Sequence, residues 1–134
     1  MLRKIANVAL FLWMLPQNLI GLFLLATTHG PRYVINNRFK MPVCIQYKNT
    51  SGGSVSLGNF IFISRYARMY TERHELGHTV QSMILGPLYL PLIGIPSITW
   101  AGLRRAGAFK NKSYFWFYTE RWADKIAQIK RAGK

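Results

Sequence analysis

The chain has 134 residues, half of them hydrophobic, and carries 18 lysines and arginines against four acidic residues, a formal net charge of +14. This length suits a single domain, residues 1 to 134, and the lone cysteine, Cys44, excludes an intramolecular disulfide framework. The charge favours an anionic neighbour, which can be nucleic acid, anionic lipid or an acidic protein surface. Because the cations are scattered and no reader motif is present, any nucleic-acid contact is expected to be non-specific.

The N-terminal segment, residues 1 to 31, is predicted to be a hydrophobic helical segment attached to a catalytic-type core of residues 32 to 134. Residues 5 to 31 contain no Lys, Arg, Asp or Glu, a run long enough on length alone to cross a bilayer. Pro16 interrupts the run, and no good cleavage site follows it, so we expect a retained helix broken at Pro16 rather than a cleaved signal peptide. Membrane association and packing on the chain's own core are both compatible with this pattern.

Residues 32 to 64 are predicted to form β-strands. The segments RYVINN, MPVCIQYK and SVSLGNFIFIS are rich in Val, Ile, Phe and Tyr. Residues 49 to 53 give a turn or loop signal between them, and Gly58-Asn59 predicts either a second turn or a bulge.

A helix is predicted over residues 70 to 85, where apolar residues recur at helical spacing and Gly86-Pro87 gives a stop signal. The prolines and glycines of the next stretch, LYLPLIGIPSITWAGL, predict extended apolar loops or short helices packed on the core. A basic loop over residues 104 to 112 and a last helix over residues 113 to 131, with Ser113 as its candidate N-cap, complete the predicted elements.

The first of these helices contains HELGH, which matches the pattern His-Glu-x-x-His. His74 and His78 lie one turn apart on one helix face, so their imidazoles can bind one Zn²⁺ at about 2.0–2.1 Å each. Glu75 lies about 100° around the helix, where it can take a proton from a metal-bound water. The motif therefore predicts a metal site with Glu75 as general base.

Catalytic zinc usually has three protein ligands, so a third must come from elsewhere in the chain. The remaining candidates are His29, Cys44, Glu72, Glu120 and Asp124. Glu72 points away from His74 on the same helix, and a favourable charge in the first helical turn is its expected role. Glu120 and Asp124 share one face of the last helix, where a carboxylate can reach the metal or accept the outer N–H of a ligand histidine.

HELGH followed by the distal pattern Glu-x-x-x-Asp resembles the gluzincin metallopeptidases. The stretch SLGNFIFIS…HELGHTVQSMILGPLYLPLIGIPS…YTERWAD, within residues 54 to 126, is also similar to a set of short zincin-like proteins of bacteria and their mobile elements. The resemblance implies an α+β zincin-like domain in which the active-site helix and the C-terminal helix carry the ligands. It implies zinc ligands at His74, His78 and Glu120, a general base at Glu75, and support of a ligand histidine by Asp124.

Gluzincins also use a His, Tyr or Arg to stabilise the oxyanion, and no residue here matches that group by motif. Tyr118 is the candidate, with Tyr114 and Arg121 as alternatives.

Two functions compete. One is a zinc-dependent hydrolase, a small metallopeptidase acting on a peptide or protein substrate, at a membrane surface or in a larger assembly. The other is a non-enzymatic structural or binding protein of zincin-like fold whose basic surface contacts nucleic acid, lipid head groups or an acidic assembly partner. The intact Glu75 favours the hydrolase, since a structural metal site needs no base.

Overall fold

The structure is a computed structural model that describes residues 1–48 and 53–131. Over these residues the fold is α+β, as predicted, with a mixed sheet and helices packed on it. The predicted turn or loop at residues 49 to 53 falls largely outside the described residues.

The strands lie in the region predicted for them, and within the described residues they form a four-stranded sheet of order β1-β2-β4-β3. The inner strands β2 and β4 are parallel, while β1 pairs antiparallel with β2 and β3 antiparallel with β4. Gly58-Asn59 forms the tight turn between β3 and β4, with Gly58 at φ +63°, so the turn prediction is confirmed over the bulge. The strands are β1 Arg32–Asn36, β2 Pro42–Lys48, β3 Val55–Leu57 and β4 Phe60–Ser64.

Successive side chains of the inner strands enter two separate apolar clusters, because they point to opposite faces of the sheet. Val43 and Ile45 belong to one cluster, with Leu76 and Met83 of the HELGH helix packed against it. Phe62 belongs to the other cluster, against which the N-terminal helices pack. The sheet therefore supports the HELGH helix on the first cluster, while the N-terminal helices and the junction between them contact both clusters.

The N-terminal segment forms two helices, α1 (Leu2–Trp13) and α2 (Leu15–Thr27), bent by 88° relative to each other. The bend confirms the predicted break, because Pro16 lies in the first turn of α2, where its missing N–H costs nothing. Among the described residues no single helix is long and apolar enough to cross a membrane, while this bent pair passes on length and composition alone.

Polar residues dock this helical pair on the rest of the fold. The Gln17 amide donates to the Gly86 carbonyl (2.9 Å), and Asn18 accepts the backbone N–H of Asn59 (2.7 Å) while donating to its side chain (3.1 Å). A β-carbon at Gly21 would lie 2.6 Å from the Phe60 ring, so this glycine permits the close approach of α2 to the sheet. The segment therefore packs on the chain's own core.

The predicted HELGH helix is α3, Thr71–Leu85, and it ends at Gly86 as expected, with φ +54°. The extended loops considered for the following apolar stretch are wrong, because the chain continues as short helices. A 3₁₀ turn (Gly86–Leu88) and a π-helical segment (Leu90–Gly94) lead into α4 (Ile95–Arg105). The prolines of this stretch lie in first turns, where no backbone donor is needed.

The basic loop predicted to begin at residue 104 begins later, since Arg104 and Arg105 form the last turn of α4. Turns follow over residues 106 to 111, so the remainder of that prediction is confirmed.

The single helix predicted over residues 113 to 131 is wrong in extent. Ser113 caps a 3₁₀ turn, Tyr114–Trp116, and Phe117 is extended before α5 begins (Tyr118–Ile126). The Tyr114 carbonyl accepts the Trp100 indole N–H (2.8 Å) instead of entering a helical ladder. At the other end Gln128 adopts φ +56° and closes a Schellman-type turn with Ile129 donating to the Asp124 carbonyl.

Candidate metal centre

The site forms where α3 and α5 cross at Gly77. A β-carbon at Gly77 would lie only 2.3 Å from the carbonyl oxygen of Ala123, so the two backbones are in direct contact. The two histidines of α3 flank this glycine, and the two carboxylates of α5 flank the alanine. The crossing therefore brings side chains separated by more than 40 residues in sequence into one cluster.

Three ligand-type atoms converge at the crossing. His74 Nε2 lies 2.9 Å from Glu120 Oε2 and 3.2 Å from His78 Nε2, and the third edge, from His78 Nε2 to Glu120 Oε2, is 3.4 Å. A tetrahedral zinc with bonds of about 2.0–2.2 Å holds its donor atoms about 3.3–3.6 Å apart. The three atoms would therefore need to move by only a few tenths of an ångström to bind zinc in this geometry. All three residues are buried, and together they could hold a metal ion.

The outer nitrogen of His74 is held by Asp124, as predicted from the sequence. His74 Nδ1 donates to Asp124 Oδ1 (2.8 Å), and Arg131 donates to both oxygens of the same carboxylate (2.6 and 2.9 Å). Burial alone would raise the pKa of Asp124, but these hydrogen bonds lower it to about 2. A carboxylate that stays charged fixes the ring orientation of His74 and leaves Nε2 facing the ligand cluster.

The outer nitrogen of His78 has a partner that the sequence analysis missed. His78 Nδ1 donates to Gln81 Oε1 (2.6 Å), and the Gln81 amide in turn donates to the Thr119 carbonyl on α5 (3.0 Å). Both are buried. The spacing of three residues between His78 and Gln81 on one helix was the available signal.

Glu120 accepts hydrogen bonds on both carboxylate oxygens. Its Oε1 accepts from the Ser97 hydroxyl of α4 and from Thr119 (3.1 Å), which leaves Oε2 for the two histidines. Burial alone would raise the pKa of Glu120, but the hydrogen bonds from His74 and His78 bring it well below its usual range. Glu120 is therefore a charged ligand candidate at any physiological pH.

Glu75 differs from the other buried carboxylates because one of its oxygens accepts no hydrogen bond from any residue that the structure describes. Its side chain is buried, the residue being 5% exposed, and Oε2 has no hydrogen-bond partner among the described residues. Burial raises the pKa of Glu75, opposed by the charges of the two histidines. A buried carboxylate with a free oxygen and a raised pKa suits a group that exchanges a proton.

The candidates for the oxyanion group lie in different places. Tyr118 is 47% exposed and donates its hydroxyl to the Leu92 carbonyl (2.6 Å), and Arg121 is exposed. Tyr114 lies nearer the cluster. Burial raises the pKa of its hydroxyl, and the negative charge of the neighbouring Glu120 raises it further. Of the three, the structure brings Tyr114 to the metal-ligand candidates.

The other ligand candidates lie outside the cluster. Glu72 accepts a hydrogen bond from the Tyr33 hydroxyl (2.6 Å), as expected for a residue pointing away from His74. Cys44 lies within β2, and His29 is exposed between α2 and β1.

Comparison of the chain with protein-family models, with curated proteins and with solved structures found no match. The case for a function therefore rests on the residues and their geometry.

Proposed function

We propose that this protein is a zinc-dependent hydrolase whose substrate is a peptide. The observation that carries the proposal is the convergence of His74, His78 and Glu120, next to Glu75 on the same helix as the histidines. Glu75 has a buried carboxylate oxygen with no hydrogen-bond partner among the described residues. Two imidazoles and one carboxylate are a donor set that catalytic zinc takes, with a further position open to water or substrate. The hydrogen bonds to both outer nitrogens support it, since they orient the rings for metal binding.

Zinc, when bound, supplies a Lewis acid that polarises a carbonyl and makes water more acidic. Glu75 would accept the proton of the attacking water at its free oxygen and return it to the leaving amine. Burial raises its pKa, which makes this carboxylate a stronger base than an exposed glutamate. The similarity of HELGH…ExxxD to the gluzincins supports the choice of a peptide as substrate.

The test compares Glu75→Gln with Glu72→Gln, the same substitution on the same helix but directed at Tyr33. Zinc measured by mass spectrometry should stay near one per chain in both variants. Hydrolysis of a peptide library should fall about 10²- to 10⁴-fold in Glu75→Gln and stay near wild type in Glu72→Gln. Undiminished turnover in Glu75→Gln would remove the proposed role of Glu75.

One observation favours a second candidate, a structural metal site in a non-enzymatic protein. The ligand candidates are almost completely buried, and structural sites are closed. A chelator titration separates the two. Loss of the fold on metal removal, with no peptide cleaved by the loaded protein, would favour the structural site. A metal-free protein that stays folded and regains peptide cleavage when zinc is restored would favour the hydrolase.

A further inference from the structure

Helix α2 has its polar and apolar sides reversed relative to a helix on the surface of a globular protein. Gln17, Asn18 and Gly21 are the buried residues of the helix, whereas Leu19 and Phe23 are exposed. An ordinary surface helix turns its apolar stripe to the core and its polar side to water. The outward apolar side of α2 therefore needs a partner other than water.

Helix α1 exposes a matching stripe and contains no buried residue. Phe11 of α1 and Leu24 of α2 pack against the same core cluster, so both helices direct their opposite sides away from the sheet. From residue 5 to residue 26 every exposed residue is apolar. We call the outward set the hairpin face: Ile5, Val8, Leu12, Leu19, Leu22 and Phe23.

Further exposed apolar residues adjoin the hairpin face. The Trp13 indole donates to the Met83 carbonyl (3.1 Å), which places the junction of α1 and α2 against the end of α3. There Ile84 and Leu88 are exposed, and exposed apolar side chains continue into α4 at Ile95. The whole stretch from residue 77 to residue 103 lacks Lys, Arg, Asp and Glu.

Charge identifies the partner. Cations stand at both ends of the uncharged run of residues 5 to 31, with Arg3 and Lys4 before it and Arg32 after it. The formal charge of +14 already counts the four acids, three of which lie buried at the crossing of α3 and α5. A second copy of the chain would bring another +14 and be repelled, whereas an anionic surface would be attracted.

We propose that the hairpin face docks on an anionic lipid bilayer. Its apolar side chains enter the boundary between head groups and acyl chains, and the flanking cations meet the lipid phosphates. A protein partner would present polar groups that need hydrogen bonds, at about one per 100–200 Å² of interface, and the side chains of the hairpin face offer none.

The test is sedimentation of the 134-residue chain with vesicles of phosphatidylglycerol or of phosphatidylcholine. The wild type should partition at least about tenfold more strongly into phosphatidylglycerol vesicles, and this preference should shrink as salt is raised. Leu12→Glu combined with Phe23→Glu, at positions 60% and 67% exposed, should lose at least about tenfold in partitioning.

Val34→Glu is the matched control for Phe23→Glu alone, because Val34 is equally exposed at 66% but lies on β1, outside the hairpin face. It should bind vesicles more strongly than Phe23→Glu, which adds the same single charge. The pair Leu12→Ser and Phe23→Ser, which adds no charge, replaces the glutamate pair if circular dichroism shows that the latter is misfolded.

Equal binding by the wild type and by a folded double variant would overturn the proposal, as would a wild type that stays in solution with phosphatidylglycerol. A wild-type dimer that dissociates in the double variant, without vesicle binding, would overturn it in favour of self-association. None of these measurements depends on bound metal or on peptide hydrolysis. The membrane proposal can therefore fail without affecting the proposed hydrolase, and the reverse also holds.

Discussion

Gly77 of α3 rests directly against the Ala123 carbonyl of α5, and this contact sets the distance between the helices that carry the ligand candidates. Because the four site residues flank these two positions, the cluster of His74 with Glu120 depends on the absence of a side chain at residue 77. The glycine within HELGH is thus part of the candidate metal centre although it contributes no ligand atom.

Substituting Gly77→Ala should push α3 away from α5, because the added methyl group overpacks the contact at a cost of about 1–3 kcal/mol. Metal binding should weaken at least about tenfold as a result. Zinc affinity measured against a competing chelator checks this. Gly102→Ala is the control, because Gly102 lies in α4 with open space where its β-carbon would be. The Gly102→Ala variant should be more stable than the wild type by up to about 1 kcal/mol, and its metal affinity should not change. A Gly77→Ala protein that binds zinc like the wild type would contradict the role assigned to the crossing.

Replacing Gln81 with Met removes the acceptor for His78 Nδ1 while keeping a side chain of similar length. We expect metal affinity to fall about 10- to 100-fold, as for other residues that orient a ligand histidine. Gln81→Glu keeps an acceptor oxygen and should recover much of the loss. The same competition titration compares the three proteins, and a Met variant with wild-type affinity would show that Gln81 does not orient the ring.

Metal affinity should rise with pH because the metal-free site binds an extra proton. Burial alone would lower the pKa of His74, but its hydrogen bonds to Asp124 and Glu120 raise it to about 9. Metal must displace that proton, so affinity should increase by about tenfold per pH unit from pH 7 and level off near pH 9. Calorimetry in buffers of different ionisation enthalpy should count about one proton released per metal at pH 7.5.

The stability of the metal-free fold should depend on pH in the opposite direction, falling as pH rises. A raised pKa stabilises the folded state fully below the unfolded value of about 6.5, and this contribution is lost as pH rises through about 9. Asp124→Asn removes a charged partner of His74 and should lower the pKa of that histidine. The metal affinity of this variant should therefore stop rising at a lower pH than that of the wild type. A metal affinity that is constant from pH 7 to 9 would contradict the protonated His74.

Most of the site could be predicted from the sequence because its residues follow helical spacing. His74 and His78 are one turn apart, and Glu120 and Asp124 are one turn apart on the second helix. Ser97 and Arg131 could not be found in this way, since their contacts with Glu120 and Asp124 depend on the tertiary path of α4 and of the chain after α5.

The strands were predictable because Val, Ile and Phe are dense in them, and the break at Pro16 because proline lacks a backbone donor. The extent of α5 was not predictable. Its end has Gln128 in a left-handed conformation, where a glycine would have given the usual signal. Its delayed start depends on Trp100, more than ten residues away, which binds the Tyr114 carbonyl.

Asn18 should matter more to folding than the leucine beside it. Asn18→Ala leaves the buried Asn59 without its acceptor and should lower the free energy of unfolding by about 1–3 kcal/mol. Leu19→Ala, at an exposed position in the same helix, should change it by no more than about 0.5 kcal/mol in lipid-free buffer. Urea unfolding followed by circular dichroism gives both values. A larger loss for Leu19→Ala than for Asn18→Ala would mean that the apolar side of α2, rather than its polar side, packs on the sheet.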